Sequence, residues 1–413
     1  MSEAANAEAR GPLDGLRVID LAGPMGMYCG KLLADLGADV VRVEPLDGDA
    51  VRRLPPFYED EPGVERSLFH WHFNTNKRGI TLDITRRDGQ DLFRRLAGTT
   101  DIVIETSMPG YLDSLGIGYE ALHALNPQLI LTSITPFGQT GPYHEYLGEE
   151  LIGQASGGLL WMCGWPDRPP VMMGGWPAMH QASAQGAAAT LIAEQFRDLS
   201  GEGQHVDVAV QGTMPLTLMA SMPEYFVTGV QRQPRVGDGH MSALNGMFAV
   251  SDGYADFRFR GRPGHWEGVV AWMQSKDMAE DLTDEKWKDP AFRRVTENYR
   301  HIDEVFQRFI ATFDREEAME LAQRKGLETG AVYTAEDIVH DPQLQARGFF
   351  QELEHADLGR SFLYQKGPYN FSETPWTLRR RAPLLGEHNI EIYEGELGLS
   401  RAELASLRAA HVI

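Results

Sequence analysis

The sequence predicts an α/β protein with two domains, and three observations lead to this prediction. Short β-branched runs alternate with helical stretches over roughly the first 135 residues, a pattern typical of a parallel sheet covered by helices. The 413 residues exceed the size at which a single hydrophobic core stops growing. Between about 225 and 325 the alternation fades, which indicates a separate, smaller domain.

Six segments have the composition of buried strands, and these are 16–21, 38–44, 79–83, 101–105, 129–134 and 205–210. Helical patterns lie between them and later in the chain, at 28–36, 89–97, 119–124, 181–199, 266–273 and 302–313. Gly37 separates the first helix from the second strand, because glycine accepts the positive φ of a helix end at little cost. We therefore expect a large domain from 1–224 and 331–413, interrupted by a small domain at 225–330.

Charge and cysteine content exclude several classes of protein. The net charge is −21, which disfavours nucleic-acid or anionic membrane partners, since both need clustered positive charge. Cys29 and Cys163 form no zinc-binding or disulfide pattern. No secretory signal or membrane-spanning run is evident, so we expect a cytoplasmic protein without a membrane partner.

Common cofactor and metal motifs are absent from the sequence. The glycines of the first βα turn, Gly23, Gly26 and Gly30, do not have the G-x-G-x-x-G spacing of dinucleotide-binding proteins. His70 and His72 have strand spacing, which would place both imidazoles on one face, but a third metal ligand is missing. We expect neither a metal nor a tightly bound cofactor.

An ordered set of segments runs from residue 11 to residue 388. The segments are GPLDGLRVIDL at 11–21, LADLGADVVRVE at 33–44, NTNKR at 74–78, ETSMPGYLDSLG at 105–116, FGQTGP at 137–142, QASGG at 154–158, GEGQ at 201–204, HDPQL at 340–344 and RAPLLGEH at 381–388. Together they resemble the family III CoA-transferases, the formyl-CoA and carnitine CoA-transferase group.

The resemblance implies a fold, an assembly and a substrate. It implies a six-stranded Rossmann-like domain built from both chain ends, a small domain between them, and an intertwined, ring-like dimer. It also implies a CoA thioester as substrate. The residues that it assigns to CoA binding are Met25, Gly26, Phe73, Asn76, Lys77, Arg78 and Thr106.

The family nucleophile is missing at its expected place. Members use an aspartate about 25 residues before the glutamine of G-x-G-Q, and counting back from Gln204 reaches Met179. Ser114 also stands where the family often has an arginine for the CoA phosphates. Three other groups remain as fallbacks: Glu149 and Glu150, which are either paired acids or a negatively charged helix start, and His180.

These departures predict a subunit without its own chemistry. Within the family, the chain is similar to the non-catalytic subunits of heteromeric CoA-transferases in anaerobic toluene degradation. That similarity implies a paralogous, aspartate-bearing catalytic partner, with succinyl-CoA as candidate donor and benzylsuccinate as candidate acceptor. Two alternatives stay open: a self-sufficient transferase, lyase or racemase using another carboxylate, and a non-enzymatic binding protein.

Overall fold

A computed structural model describes residues 11–218, 221–230, 240 and 242–413. The strands are β1 Arg17–Asp20, β2 Asp39–Glu44, β3 Arg78–Thr81, β4 Ile102–Glu105, β5 Ile130–Thr135, β6 His205–Ala209, β7 Asn245–Val250, β8 Gly253–Arg258, β9 Glu328–Ala331, β10 Phe350–His355 and β11 Arg360–Gln365.

The α-helices are α1 Met27–Asp35, α2 Leu68–Phe73, α3 Arg87–Ala97, α4 Tyr111–Ser114, α5 Tyr119–Leu125, α6 Glu150–Ser156, α7 Leu159–Met162, α8 Pro177–Ser200, α9 Val210–Thr213, α10 Ser221–Thr228, α11 His265–Gln274, α12 Pro290–Arg293, α13 Thr296–Ile310, α14 Arg315–Arg324, α15 Ala335–His340, α16 Pro342–Ala346 and α17 Arg401–Ala409. Five 3₁₀ helices add Ala50–Arg53, Tyr58–Asp60, Pro215–Thr217, Glu280–Thr283 and Glu285–Lys288, and Glu391–Glu396 is a π-helix. Within the described part of the chain, no helix is long and apolar enough to cross a membrane.

The six predicted strands form one parallel sheet in the order β3-β2-β1-β4-β5-β6. Neighbouring residues of a strand point to opposite faces, so both faces can be buried. Val18 of β1 packs in one hydrophobic core, whereas Ile19 packs in the other. The predicted α/β fold with a six-stranded sheet is confirmed.

Gly37 ends α1 as predicted. Its φ is +112°, and the Ala38 N–H closes the helix end on the Leu33 carbonyl at 3.1 Å. A Cβ at Gly37 would lie only 2.8 Å from the Cα of Gly11, so the close approach excludes a side chain as well.

The C-terminal segment returns to the edge strand β3. His388 donates its backbone N–H to the Gly79 carbonyl at 2.9 Å, and its Nδ1 accepts the Gly79 N–H at 3.1 Å. Tyr393 donates its hydroxyl to the Thr81 carbonyl at 2.8 Å. Both ends of the chain therefore contribute to the domain that contains the sheet.

The described residues divide into two compact units. The larger unit takes its residues from 1–160, 172–231 and 345–413, and the smaller unit from 161–171 and 232–344. In the smaller unit β7, β8 and β9 form an antiparallel sheet. Phe248 and Phe257 of this sheet pack edge-to-face on Phe306 of α13, with ring centroids 5.1 Å apart in each pair.

The strand spacing predicted for His70 and His72 is wrong, because both residues lie in helix α2. Ser67 caps that helix by accepting the His70 N–H, and residues two apart in a helix point to different sides. His70 is buried and donates from Nε2 to the Pro383 carbonyl at 3.0 Å, while Nδ1 accepts from Asn74. Among the described residues, no cluster of three potential metal ligands exists.

Burial of His70 makes the stability of the fold depend on pH. Burial, helped by the charge of Arg52, lowers the pKa of His70 to about 3. The unfolded chain takes up this proton below about pH 6.5 and the native state does not, so stability is lost as the pH falls. We expect the free energy of unfolding to drop by about 2 kcal/mol more in the wild type than in His70→Gln between pH 7 and 5. Urea unfolding at the two pH values measures this difference.

The matched control is His144→Gln, because the His144 side chain is 38% exposed. This variant should lose as much stability on acidification as the wild type. If the wild type and His70→Gln lost equal free energy of unfolding between the two pH values, protonation of His70 would not account for the pH dependence.

Candidate active site

The amino-terminal end of α8 is held by a carboxylate from another helix. Glu150 is the first residue of α6 and is buried. Its Oε1 accepts the Ala178 N–H at 3.0 Å, and its Oε2 accepts the Met179 N–H at 2.9 Å. These two N–H groups belong to the first turn of α8, which has no partner of its own for them. Glu150 therefore acts as the helix cap that α8 lacks locally.

Glu149 and Glu150 have different environments despite being neighbours. Glu149 is exposed and precedes α6, whereas Glu150 starts that helix. The structure thus agrees with a negatively charged helix start. Gln154, fully buried, donates to Glu150 Oε1 at 2.7 Å, so the carboxylate of Glu150 receives three hydrogen bonds in all.

Gln154 also fixes the segment that leads into α8. Its amide oxygen accepts the Met173 N–H at 3.0 Å, and its amide nitrogen donates to the Met173 carbonyl at 2.9 Å. The backbone on both sides of Trp176 is therefore hydrogen-bonded to α6. Gln154 binds the segment before Trp176, and Glu150 binds the segment after it.

Met179 lies in the first turn of α8 and is 6% exposed. Its backbone N–H is bound by Glu150, so the main chain at this position is firmly placed. Its side chain ends in a thioether, which lacks the oxygen that a carboxylate nucleophile uses. The structure hence puts an unreactive group at the position that the sequence assigned to the nucleophile.

His180 lies between two aromatic rings. Its ring centroid is 5.3 Å from that of Tyr28 and 5.4 Å from that of Phe73. Its Nε2 is buried and has no hydrogen-bond partner among the described residues. Burial lowers the pKa of His180, although the negative charge of Glu150 opposes this. The imidazole is therefore neutral at pH 7.

Four of the residues assigned to CoA binding lie close to this helix end. Ser183, one turn after Met179, donates its hydroxyl to the Met25 carbonyl at 2.8 Å. A Cβ on Gly26 would come within 2.7 Å of Thr106 Cγ2, so these two residues are in contact. Phe73 contacts His180, as described above. The structure brings Met25, Gly26, Phe73 and Thr106 together around the start of α1.

The other three are engaged inside the protein. Asn76, at a positive φ of 64°, donates to Asp35 at 2.7 Å and accepts the Arg379 N–H at 2.6 Å. Lys77 is fully buried against Asp20, with Nζ 2.7 Å from Oδ2. Arg78 pairs with Asp39, Glu391 and Glu396. The polar groups of these side chains are thus occupied by protein partners.

A crevice of about 300 Å³ lies at the carboxyl ends of the strands. Leu21 after β1, Glu44 of β2, Leu82 after β3 and Ser107 after β4 line it. The strand order reverses between β1 and β4, and open α/β sheets bind their ligands at such a switch point. Sequence reasoning missed these residues, although each lies at or just after the end of a predicted strand, which is the signal that could have found them.

The crevice offers few positive charges for phosphates. Arg42 is the single cation among its described lining residues, and it pairs with Asp20 and Asp49. Ser114, the residue in place of the family arginine, donates its hydroxyl to the Tyr111 carbonyl at 2.6 Å.

Glu150→Ala should lower the free energy of unfolding by about 1–3 kcal/mol, because the Ala178 and Met179 N–H groups would be left buried without an acceptor. Urea unfolding measures the change. Glu149→Ala is the matched control, and we expect a change within about 0.5 kcal/mol at this exposed position. If the two variants were equally stable, the hydrogen bonds from α8 to Glu150 would contribute nothing to the free energy of unfolding.

Comparison with known proteins identifies the family. The family model described as "CoA-transferase family III" matches residues 13–389 of this chain. The succinyl-CoA:(R)-benzylsuccinate CoA-transferase subunit BbsE of Thauera aromatica is 36% identical over 91% of this chain and 92% of its own length. The succinyl-CoA–D-citramalate CoA-transferase of Chloroflexus aurantiacus is 34% identical over 97% of this chain and 98% of its own.

A solved structure gives the same result. The crystal structure of a CAIB/BAIF family protein from Brucella suis superposes with a TM-score of 0.84 at 32% identity, covering 94% of this chain and 99% of that one. The sequence segments, the six-stranded sheet and these relatives agree. The chain belongs to CoA-transferase family III.

Proposed function

We propose that this chain is the non-catalytic subunit of a heteromeric CoA-transferase that moves CoA from succinyl-CoA to a dicarboxylic acid of the benzylsuccinate type. Its partner in this proposal is an aspartate-bearing paralogue that carries the chemistry. The observation that carries the proposal is Met179, a buried thioether at the place of the family nucleophile.

The reaction needs a carboxylate oxygen that attacks the thioester carbonyl and expels the CoA thiolate. The thiolate then returns to the mixed anhydride. Glu150 is the carboxylate bound to the Met179 N–H, but its oxygens already accept three hydrogen bonds in a buried position. Hydrogen bonds that stabilise a carboxylate also make it a weaker nucleophile. Glu150 therefore suits a structural role better than a chemical one.

Succinyl-CoA is the donor that the relatives favour. The Thauera and Chloroflexus proteins both carry succinyl-CoA in their names, and the first is named as a subunit of a succinyl-CoA:(R)-benzylsuccinate CoA-transferase. The crevice at the switch point is the place that we assign to the nucleotide part of CoA. Its scarcity of free cations supports weak binding of CoA by this subunit alone.

An exposed apolar surface supports assembly with another subunit. Ile192, Phe196 and Leu199 of α8 are 72%, 50% and 81% exposed, at a spacing that places them on one side of the helix. Tyr225, Phe226 and Val227 of α10 are exposed as well. Apolar patches of this kind mark protein interfaces, and an intertwined, ring-like dimer with the paralogue would cover them.

Co-expression tests the proposal. Produced alone, the chain should show no CoA transfer from succinyl-CoA to benzylsuccinate. Produced together with the paralogue, it should form one complex with equal amounts of both chains, and activity should appear there. Native mass spectrometry and an assay of CoA transfer give the two readouts. A stable homodimer of this chain with full activity would contradict the proposal.

A further inference from the structure

A second cavity lies in the larger unit, at the opposite end of β3 from the crevice. Its volume is about 390 Å³, and its lining includes Arg379, Arg380, Arg381 and His388 together with Glu354 and Glu387. His388 is hydrogen-bonded to Gly79 near the amino-terminal end of β3, whereas the crevice lies beyond its carboxyl end. The cavity is therefore separate from the candidate active site.

We propose that this cavity binds a small oxyanion, a metabolite that carries a phosphate or carboxylate group. The Arg380 guanidinium makes no hydrogen bond or ion pair with the described residues. This positive charge faces a cavity in a protein whose net charge is −21. An unpaired guanidinium in a concave site is suited to bind carboxylate or phosphate oxygens.

His388 adds a second donor. Its Nδ1 accepts the Gly79 N–H at 3.1 Å, so a neutral ring carries its proton on Nε2. Burial lowers the pKa of His388, although the charges of Glu387 and Glu391 oppose this. The ring is thus neutral at pH 7 and offers an N–H group rather than a lone pair.

Of the two carboxylates in the lining, Glu354 is exposed to solvent and Glu387 is bound by protein donors. Glu387 is occupied, because it accepts two hydrogen bonds from Arg381 at 2.8 and 3.1 Å and one from the Leu384 N–H at 2.8 Å. Arg381 in turn also pairs with Asp357 at 2.8 Å. The groups that remain for a ligand are the charge of Arg380, the N–H of His388 and part of Arg379. The Arg379 guanidinium donates one hydrogen bond to the Ala34 carbonyl.

The backbone that carries the arginines is held by hydrogen bonds. The Asn76 side-chain oxygen accepts the N–H groups of Arg379 and Arg380 at 2.6 and 3.2 Å, and Arg380 returns its carbonyl to the Asn76 N–H at 3.0 Å. A preorganised backbone reduces the entropy that a ligand must overcome. The proposal does not rest on the non-catalytic role or on CoA transfer.

Calorimetric titration of the full chain tests the site, with inorganic phosphate and succinate as separate probes at constant ionic strength. We expect saturable binding of at least one probe, and at least tenfold weaker binding to Arg380→Ala. Arg87→Ala, which removes an exposed arginine of α3, is the matched control and should bind as the wild type does.

Binding of phosphate alone would assign a phosphate ligand, binding of succinate alone a carboxylate ligand, and binding of both a general oxyanion site. The proposal is overturned if neither probe binds saturably. It is also overturned if the wild type and Arg380→Ala bind equally well.

Discussion

Lys77→Met should lower the free energy of unfolding by about 3 kcal/mol, because it breaks a buried ion pair and leaves the buried Asp20 carboxylate with Arg42 as its remaining cation. Lys77 and Asp20 are both fully buried, and Lys77 also donates to Asn74 at 2.9 Å. Burial acts to raise the pKa of Asp20, but Lys77 and Arg42 hold it below its usual value. Chemical denaturation of the purified variant gives the free energy.

The control for this prediction is an exposed ion pair in the same unit. Arg53 and Asp47 lie 2.6 Å apart, with side chains 54% and 77% exposed. Arg53→Met should cost at most about 1 kcal/mol, since solvent screens such pairs. A cost for Lys77→Met as small as that for Arg53→Met would show that the Lys77 pair does not hold the core together.

The second large effect concerns activity in the complex. Changing the nucleophilic aspartate of the paralogue to alanine should reduce turnover by roughly 10⁴-fold or more, because the reaction loses its covalent step. Met179→Leu in this chain should leave turnover within about twofold, since leucine conserves volume and neither side chain can be acylated. CoA transfer is measured on both variant complexes, with native mass spectrometry to verify assembly.

A loss of turnover in the Met179→Leu complex comparable to that of the paralogue variant would count against the division of roles. The assembly measurement separates this outcome from simple dissociation of the complex. It also identifies a variant that fails to fold.

The four central strands, β2, β1, β4 and β5, were predictable because they are short, buried and contain Val, Ile or Leu. Val18 and Ile19 enter opposite cores, which is why two consecutive residues of β1 are apolar instead of alternating with polar ones. Helix α2 was not predictable in this way. Its cap at Ser67 is a local signal that sequence reasoning missed, whereas the bond from His70 to Pro383 joins residues 313 positions apart.

The candidate site was predictable in part. The position of Met179 follows from the ordered segments, but its contact with Glu150 spans 29 residues and has no local signature. The sequence also could not show that Asn76, Lys77 and Arg78 are paired, because their partners Asp35, Asp20 and Asp39 belong to other elements. A short motif gives the residue type, while the fold decides which charges remain free.

The most direct test of the non-catalytic role asks which chain becomes covalently modified. The complex of this chain with its aspartate-bearing paralogue is mixed with succinyl-CoA and quenched, and the intact mass of each subunit is measured before and after hydroxylamine treatment. The account predicts a hydroxylamine-sensitive acyl or CoA adduct on the paralogue and an unchanged mass for this chain. An adduct on this chain, mapped by peptide analysis to Glu149, Glu150 or another carboxylate, would contradict it.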